Sequence, residues 1–70
     1  MEMVYVKIML YLGVICSPCD YTESEIQNIY DDNEPEIYDV KDDEELVNQI
    51  KIEYEEEAEF VIIGDDYEEN

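Results

Sequence analysis

Apolar positions along this chain fall into blocks with different spacings. Residues 4–12 (VYVKIMLYL) are apolar almost without interruption and rich in β-branched and aromatic side chains. That pattern predicts a central strand covered on both faces. Gly13 closes the run, and Val14 and Ile15 lead into Cys16, Ser17, Pro18 and Cys19. Pro18 suits the first turn of a helix. Beyond it Cys19, Ile26, Ile29, Tyr30 and Asn33 recur at helical spacing, while Glu23, Glu25, Asp31 and Asp32 fall mainly elsewhere around the barrel. An amphipathic helix of about four turns is expected there. Asn33, Glu34 and Pro35 end it, because the residue before a proline is pushed out of the helical region.

Residues 36–40 (EIYDV) alternate with period two and read as a second strand. Asp42, Asp43, Glu44 and Glu45 then open a second helix. Asp42 and Glu45 have the spacing of a capping box, and acids in a first turn favour the helix dipole. Leu46, Val47, Ile50 and Tyr54 form its buried stripe, which Glu55, Glu56 and Glu57 interrupt. Residues 60–63 (FVII) read as a third strand, residues 64–66 as a turn, and Tyr67 with Glu68 as a short fourth strand. The expected order is βαβαβ(β), an α/β domain with a small mixed sheet and helices packed on it through Ile26, Ile29, Leu46, Val47 and Ile50. Strand one should be central, strand two parallel to it through a right-handed crossover, and strand three antiparallel on its other side.

Seventy residues leave room for a single domain, residues 1–70, with one core. A hydrophobic fraction of 46%, with seven tyrosines, is enough to fold it despite the charge. The run 4–12 lacks a basic start and is too short to cross a bilayer, so a cytoplasmic protein with no membrane partner is expected. The charge itself is lopsided. Residues 1–19 hold one acid and one lysine, whereas residues 20–70 hold 21 acids and two lysines and so carry the whole net charge of −19. A small domain stays dispersed with a net charge of about 2–8 in magnitude, and any excess works against the fold by self-repulsion. Acids at helix starts have a local reason, and a charge run is commonly a solvated face. These two account for only part of the acidity.

A Cys-x-x-Cys pair with no other cysteine and no histidine is not a disulfide framework, and one chain cannot complete a zinc site with it. Redox chemistry, half of a shared metal site or an inherited scaffold stay open. No Asp-x-Asp-x-Asp-Gly loop marks a calcium site. No cofactor and no metal are implied. Tyr21 and Tyr67, in acidic stretches, are candidate exposed anchors.

The strand-like run ending KIMLY, the Cys16-Ser17-Pro18-Cys19 segment, the ending Ile37-Tyr38-Asp39-Val40 and the stretch Phe60 to Tyr67 together resemble the glutaredoxin branch of the thioredoxin fold. The resemblance covers most of the chain and implies a truncated glutaredoxin-like domain. It also implies a role for Cys16 as nucleophile and Cys19 as resolving thiol in thiol–disulfide exchange. Glu59 stands where the family places a cis-proline, and the family's later glycine-containing segment has no counterpart up to Asn70. A thiolate wants a helix N-terminus and positive neighbours, and here the surroundings are anionic.

Duplex DNA carries one negative charge per roughly 1.7 Å of axis, so nineteen charges match roughly 30 Å of duplex. Size, acidity and an incomplete active site resemble the small host-takeover proteins of bacteriophages, several of which are DNA mimics. The expectation is a non-enzymatic inhibitor acting in a host bacterial cytoplasm. It would occupy the DNA site of a basic DNA-binding protein, such as a histone-like nucleoid protein of the HU type, and would not bind nucleic acid itself. The candidate contact residues are Glu23, Glu25, Asp31, Asp32, Asp42, Asp43, Glu44, Glu45, Glu55, Glu56 and Glu57. The alternative is a small thiol–disulfide oxidoreductase using Cys16 and Cys19. The sequence leaves open whether the chain is a monomer or a homodimer.

Overall fold

The first apolar run is not a strand. It forms helix α1 (Met3–Leu12), in which Lys7 is the sole charged residue and Val6, Ile8 and Met9 are buried. A short apolar run does not distinguish a fully buried strand from a fully buried helix, and at ten residues length favours the helix. Gly13 closes α1 in the left-handed region at φ 77°, where its missing Cβ removes the steric penalty. The Gly13 and Val14 amides reach back to the Leu10 and Met9 carbonyls at 3.0 and 3.1 Å, the double bond pattern of a Schellman close.

The structure, a computed structural model, describes residues 2–65. After α1 come β1 (Cys19–Thr22), α2 (Glu23–Asp32), α3 (Glu34–Lys41), α4 (Glu44–Glu53), α5 (Glu55–Glu59) and β2 (Val61–Gly64). The protein is thus a small mixed α/β structure with five helices and one two-stranded sheet among the described residues. The expected βαβαβ(β) order gives way to αβααααβ. The expected fourth strand at Tyr67 and Glu68 lies outside the described residues.

Three further expectations are corrected. The helix expected straight after Pro18 starts later, because residues 19–22 extend as β1 and pair with β2. Residues 36–40 lie in α3, with Pro35 fixing the first turn; Ile37 and Val40, three apart, are both buried, as a helical stripe requires. Five residues of alternation were too few to separate a strand from that stripe. The sheet is also parallel, with Cys19 opposite Val61 and Thr22 opposite Gly64, so the strand at 61–64 is not antiparallel to its neighbour. Helices α2 to α5 form the crossover between these strands, in keeping with the long connection a parallel pair demands.

The second amphipathic helix is where the pattern placed it. In α4 Val47 and Ile50 are buried, with Leu46 and Tyr54 packed against the core. Its cap falls one residue beyond the expected capping box. Asp43 accepts from the Leu46 amide at 3.2 Å, while Asp42 closes α3. The reciprocal box is found at α2 instead. There the Glu25 amide donates to Thr22 Oγ1 at 3.1 Å and the Thr22 amide to Glu25 Oε1 at 2.9 Å.

Helix α1 packs against α3, α4 and α5, and the sheet is covered on one face by α2 and α5. The core joining them contains Ile8, Met9, Ile26, Ile37, Ile50 and Val61. Three tyrosines lock α1, α2 and α3 at one corner: Tyr5 and Tyr38 each meet Tyr30 edge-to-face, at 5.4 and 6.5 Å, and Tyr30 donates to the Tyr38 hydroxyl at 3.1 Å. No helix among the described residues is long and apolar enough to cross a membrane.

Candidate functional site

The eleven candidate carboxylates are all exposed and sit at helix ends. Glu23 and Glu25 lie in the first turn of α2, and Asp31 and Asp32 in its last. Asp42 is the C-cap of α3, and Asp43 the N-cap of α4, whose first turn carries Glu44 and Glu45. Glu55, Glu56 and Glu57 open α5. The sequence reading omitted Glu34 and Glu36, in the first turn of α3, and Glu53, the last residue of α4. With them, all but Glu23 and Glu25, which open α2 directly after β1, collect at three helix–helix corners, residues 31–36, 42–45 and 53–57. The helices between the corners are eight and ten residues long, which at 1.5 Å per residue separates them by roughly 12 and 15 Å along the chain path.

Each corner joins the end of one helix to the start of the next, and this sorts the acids by physical role. Those at a helix start meet unpaired backbone amides and the positive end of the dipole, and they stabilise the fold. Asp31, Asp32, Asp42 and Glu53 stand at the negative end of one helix, and Asp32 and Asp42 also directly precede the N-cap of the next. An acid at the negative end costs about 0.3–1 kcal/mol at low salt instead of stabilising. Asp31 recovers a hydrogen bond from Gln27 Nε2 at 3.0 Å, one helical turn away. The lysines follow the opposite rule. Lys41 and Lys51 occupy last turns, and Lys7 Nζ donates to the Lys51 carbonyl at 3.4 Å. Lys41 also stands 5.4 Å over the Tyr5 ring. All three ammonium-bearing side chains thus stand by a helix C-terminus, Lys41 and Lys51 on the surface and Lys7 half-buried.

The cysteines form a second feature. Cys16 and Cys19 are joined by a disulfide, with their Cα atoms 5.6 Å apart. Cys16 is exposed and Cys19 half-buried. Pro18, whose peptide bond to Ser17 is cis, lies in the disulfide loop; the next helix starts only at Glu23, so Pro18 does not open one. Cys19 is the first residue of β1, and α2 begins four residues further on. Neither cysteine has the helix N-terminus that lowers a thiol pKa, in contrast to the expected placement at a helix start.

The loop is fastened at three points. The Cys16 amide donates to the Tyr21 hydroxyl at 3.0 Å, Ser17 Oγ donates to the Glu57 carbonyl at 2.6 Å, and the Cys19 amide donates to the Phe60 carbonyl at 3.2 Å. The Tyr21 hydroxyl also lies 3.3 Å from Cys16 Sγ. Tyr21 is thus a half-buried brace of this loop and not the free anchor its acidic surroundings pointed to, while Tyr67 lies outside the described residues. Beside the loop, Pro18, Cys19, Asp20, Phe60 and Ile62 line an open depression of about 390 Å³. The expected third strand, residues 60–63, is shifted by one to β2 (Val61–Gly64), so Phe60 lies before it, and both Phe60 and Ile62 are exposed. Among the described residues no three acidic or thiol side chains converge in a way that would hold a metal ion.

The chain matches no protein-family model, no curated protein and no solved structure.

Proposed function

We propose that this protein is a non-enzymatic acidic mimic of DNA, which inhibits a basic DNA-binding protein of a bacterial host by occupying its DNA site. A histone-like nucleoid protein is the prime target class. What supports this reading is the set Asp31, Asp32 and Asp42, exposed carboxylates at helix C-termini, where the helix dipole disfavours an acid. Neither capping nor dispersal accounts for acids kept at a loss. A surface on which charge is repeated at spaced corners, with the cations withdrawn to helix ends, offers a basic groove what phosphate rows offer it. The partner's lysines and arginines would then displace counterions from these carboxylates instead of from DNA phosphates.

The test is competition for a purified histone-like nucleoid protein loaded on labelled duplex DNA. Displacement should be one-for-one and mutually exclusive, and should weaken as salt rises from about 50 to 200 mM. Substituting Asp42, Asp43, Glu44 and Glu45 together by lysine should slow association sharply, because complementary fields act chiefly on the on-rate. A stable ternary complex with DNA would sink the reading.

A second reading is supported by one observation, the disulfide with its exposed Cys16 sulfur beside the Tyr21 hydroxyl. In its dithiol form the pair would reduce a substrate disulfide and be oxidised to the Cys16–Cys19 bond. Turnover in a glutathione-coupled assay, abolished by Cys16→Ser, would favour it. Under the mimic reading, Cys16→Ser with Cys19→Ser leaves inhibition intact.

A further inference from the structure

The two faces of the β1–β2 ladder have different fates. The register places Cys19 and Val61, then Tyr21 and Ile63, on the face turned to the helices, where Val61 is 7% exposed and Tyr21 and Ile63 pack against the core. Side chains alternate along a strand, so Asp20 and Ile62 share the opposite face; Phe60, the C-cap of α5 just before β2, lines the same depression as Ile62. Ile62 is 54% exposed and Phe60 57% exposed. With Pro18 they form an apolar floor at the open depression described above. Large apolar side chains gathered on one outward sheet face mark a contact surface.

The charges around this floor select its occupant. Asp20, Glu59 and Asp65 are exposed at or next to it, on a chain whose net charge is −19. A second copy would bring the same anionic field against itself. A cationic surface is attracted. We infer that the outer face of the β1–β2 sheet is the apolar anchor of the contact with a basic protein partner, engaging a segment in which apolar side chains are flanked by lysine or arginine. This rests on the basic-partner reading and adds to it something DNA does not offer, an apolar contact that salt does not screen. Affinity should then retain a salt-resistant remainder after the carboxylate contribution has been screened.

The probes are two synthetic peptides of equal length and charge, one alternating lysine with leucine and one alternating lysine with serine. The native protein should bind the lysine–leucine peptide about tenfold more tightly, equivalent to ~1.4 kcal/mol, and keep that preference at high salt. The double variant Phe60→Ser with Ile62→Ser should bind both peptides alike, at the level of the lysine–serine one. Ile62→Thr, β-branched like the native residue and suited to a strand, should lose part of the preference and decides the matter if the double variant does not fold. Equal binding of the two peptides by the native protein, or an undiminished preference in folded variants, overturns the anchor and leaves the basic-partner reading standing. Failure of both peptides to bind at low salt overturns both. Dimerisation of the native protein at high salt, seen by sedimentation and lost in Ile62→Thr, would make a second copy the occupant and likewise overturn the proposal.

Discussion

Helices α1 and α2 have the same length, ten residues, and are held in place by opposite means. Helix α1 has no side-chain N-cap and no acid in its first turn, yet three of its residues are buried and apolar side chains cover nearly its whole circumference. Helix α2 buries only Ile26 outright, with Ile29 and Tyr30 partly covered, and has a complete capping box at its start. The first helix is fixed by packing, the second by its ends. Most helical stability in proteins comes from tertiary burial and not from local propensity. The α2 arrangement therefore leaves most of its surface free for charge, at the expense of a smaller packing contribution. That division of labour shows how a chain of this acidity folds: the helix without an acid buries three side chains, and each acidic helix buries one or two.

The contrast can be broken most directly in α1. Ile8→Asp places a charge at a fully buried position with no partner and should cost several kcal/mol, leaving the chain unfolded by circular dichroism. A folded variant would show that α1 is not the core. In α2 the decisive contact is at the end. Thr22→Ala removes one half of the capping box and should lower stability by about 1 kcal/mol in a denaturant titration, while Thr22→Ser should restore most of it. No change with Thr22→Ala would mean that packing, not capping, holds this helix too.

Substitutions at the far end of α2 should have the opposite sign. Asp31→Asn and Asp32→Asn each relieve an acid at the negative end of the dipole, and each should raise stability by about 0.3–1 kcal/mol at low salt while weakening the basic partner's binding. Stability and function would then pull against each other at the same two residues. A fall in melting temperature would refute the assignment of these acids to binding over folding.

The smallest effect is at the tyrosine corner linking the two helices. Donation to Tyr38, with some desolvation, pushes the Tyr30 pKa up from 10.0 to about 12. The folded state therefore holds this proton more tightly than the unfolded chain. Its contribution is fully present below pH 10 and is lost as pH rises through about 12. Tyr38→Phe should return the Tyr30 transition toward its ordinary value in an ultraviolet phenolate titration. An unchanged titration would show that the Tyr30–Tyr38 bond does not set it.

How much of this was legible in the sequence depended on whether a segment had one exposed face. Helix α4 was readable because Val47 and Ile50 recur against a charged background, and β2 because its β-branched run is bounded by Gly64. Helix α1 was not, since residues apolar on all sides give no period to read. Nor was α3: Ile37 and Val40, three apart, share one face of a helix but lie on opposite faces of a strand, and over five residues that spacing was missed. The acidic residues were found at sight, but their division into stabilising and opposing sets requires knowing which end of a helix each one occupies. Ile62 carries no sign in the sequence of facing outward, because that follows from its pairing with Asp20, and Phe60 none, because it ends α5 instead of entering the strand.

That register also sets an order of events. Cys19 pairs with Val61, so β1 is synthesised long before the strand that completes it, and α2, α3, α4 and α5 are all made in between. Contacts closed over such a span come late, after loop-closure entropy has been met by more local structure. A nascent chain would assemble α1 with α3 and α4 first, while the segment containing Cys16 and Cys19 waits without a partner strand. During that wait both thiols are open to an oxidant or exchange partner, and Cys16, exposed in the finished fold, stays so afterwards.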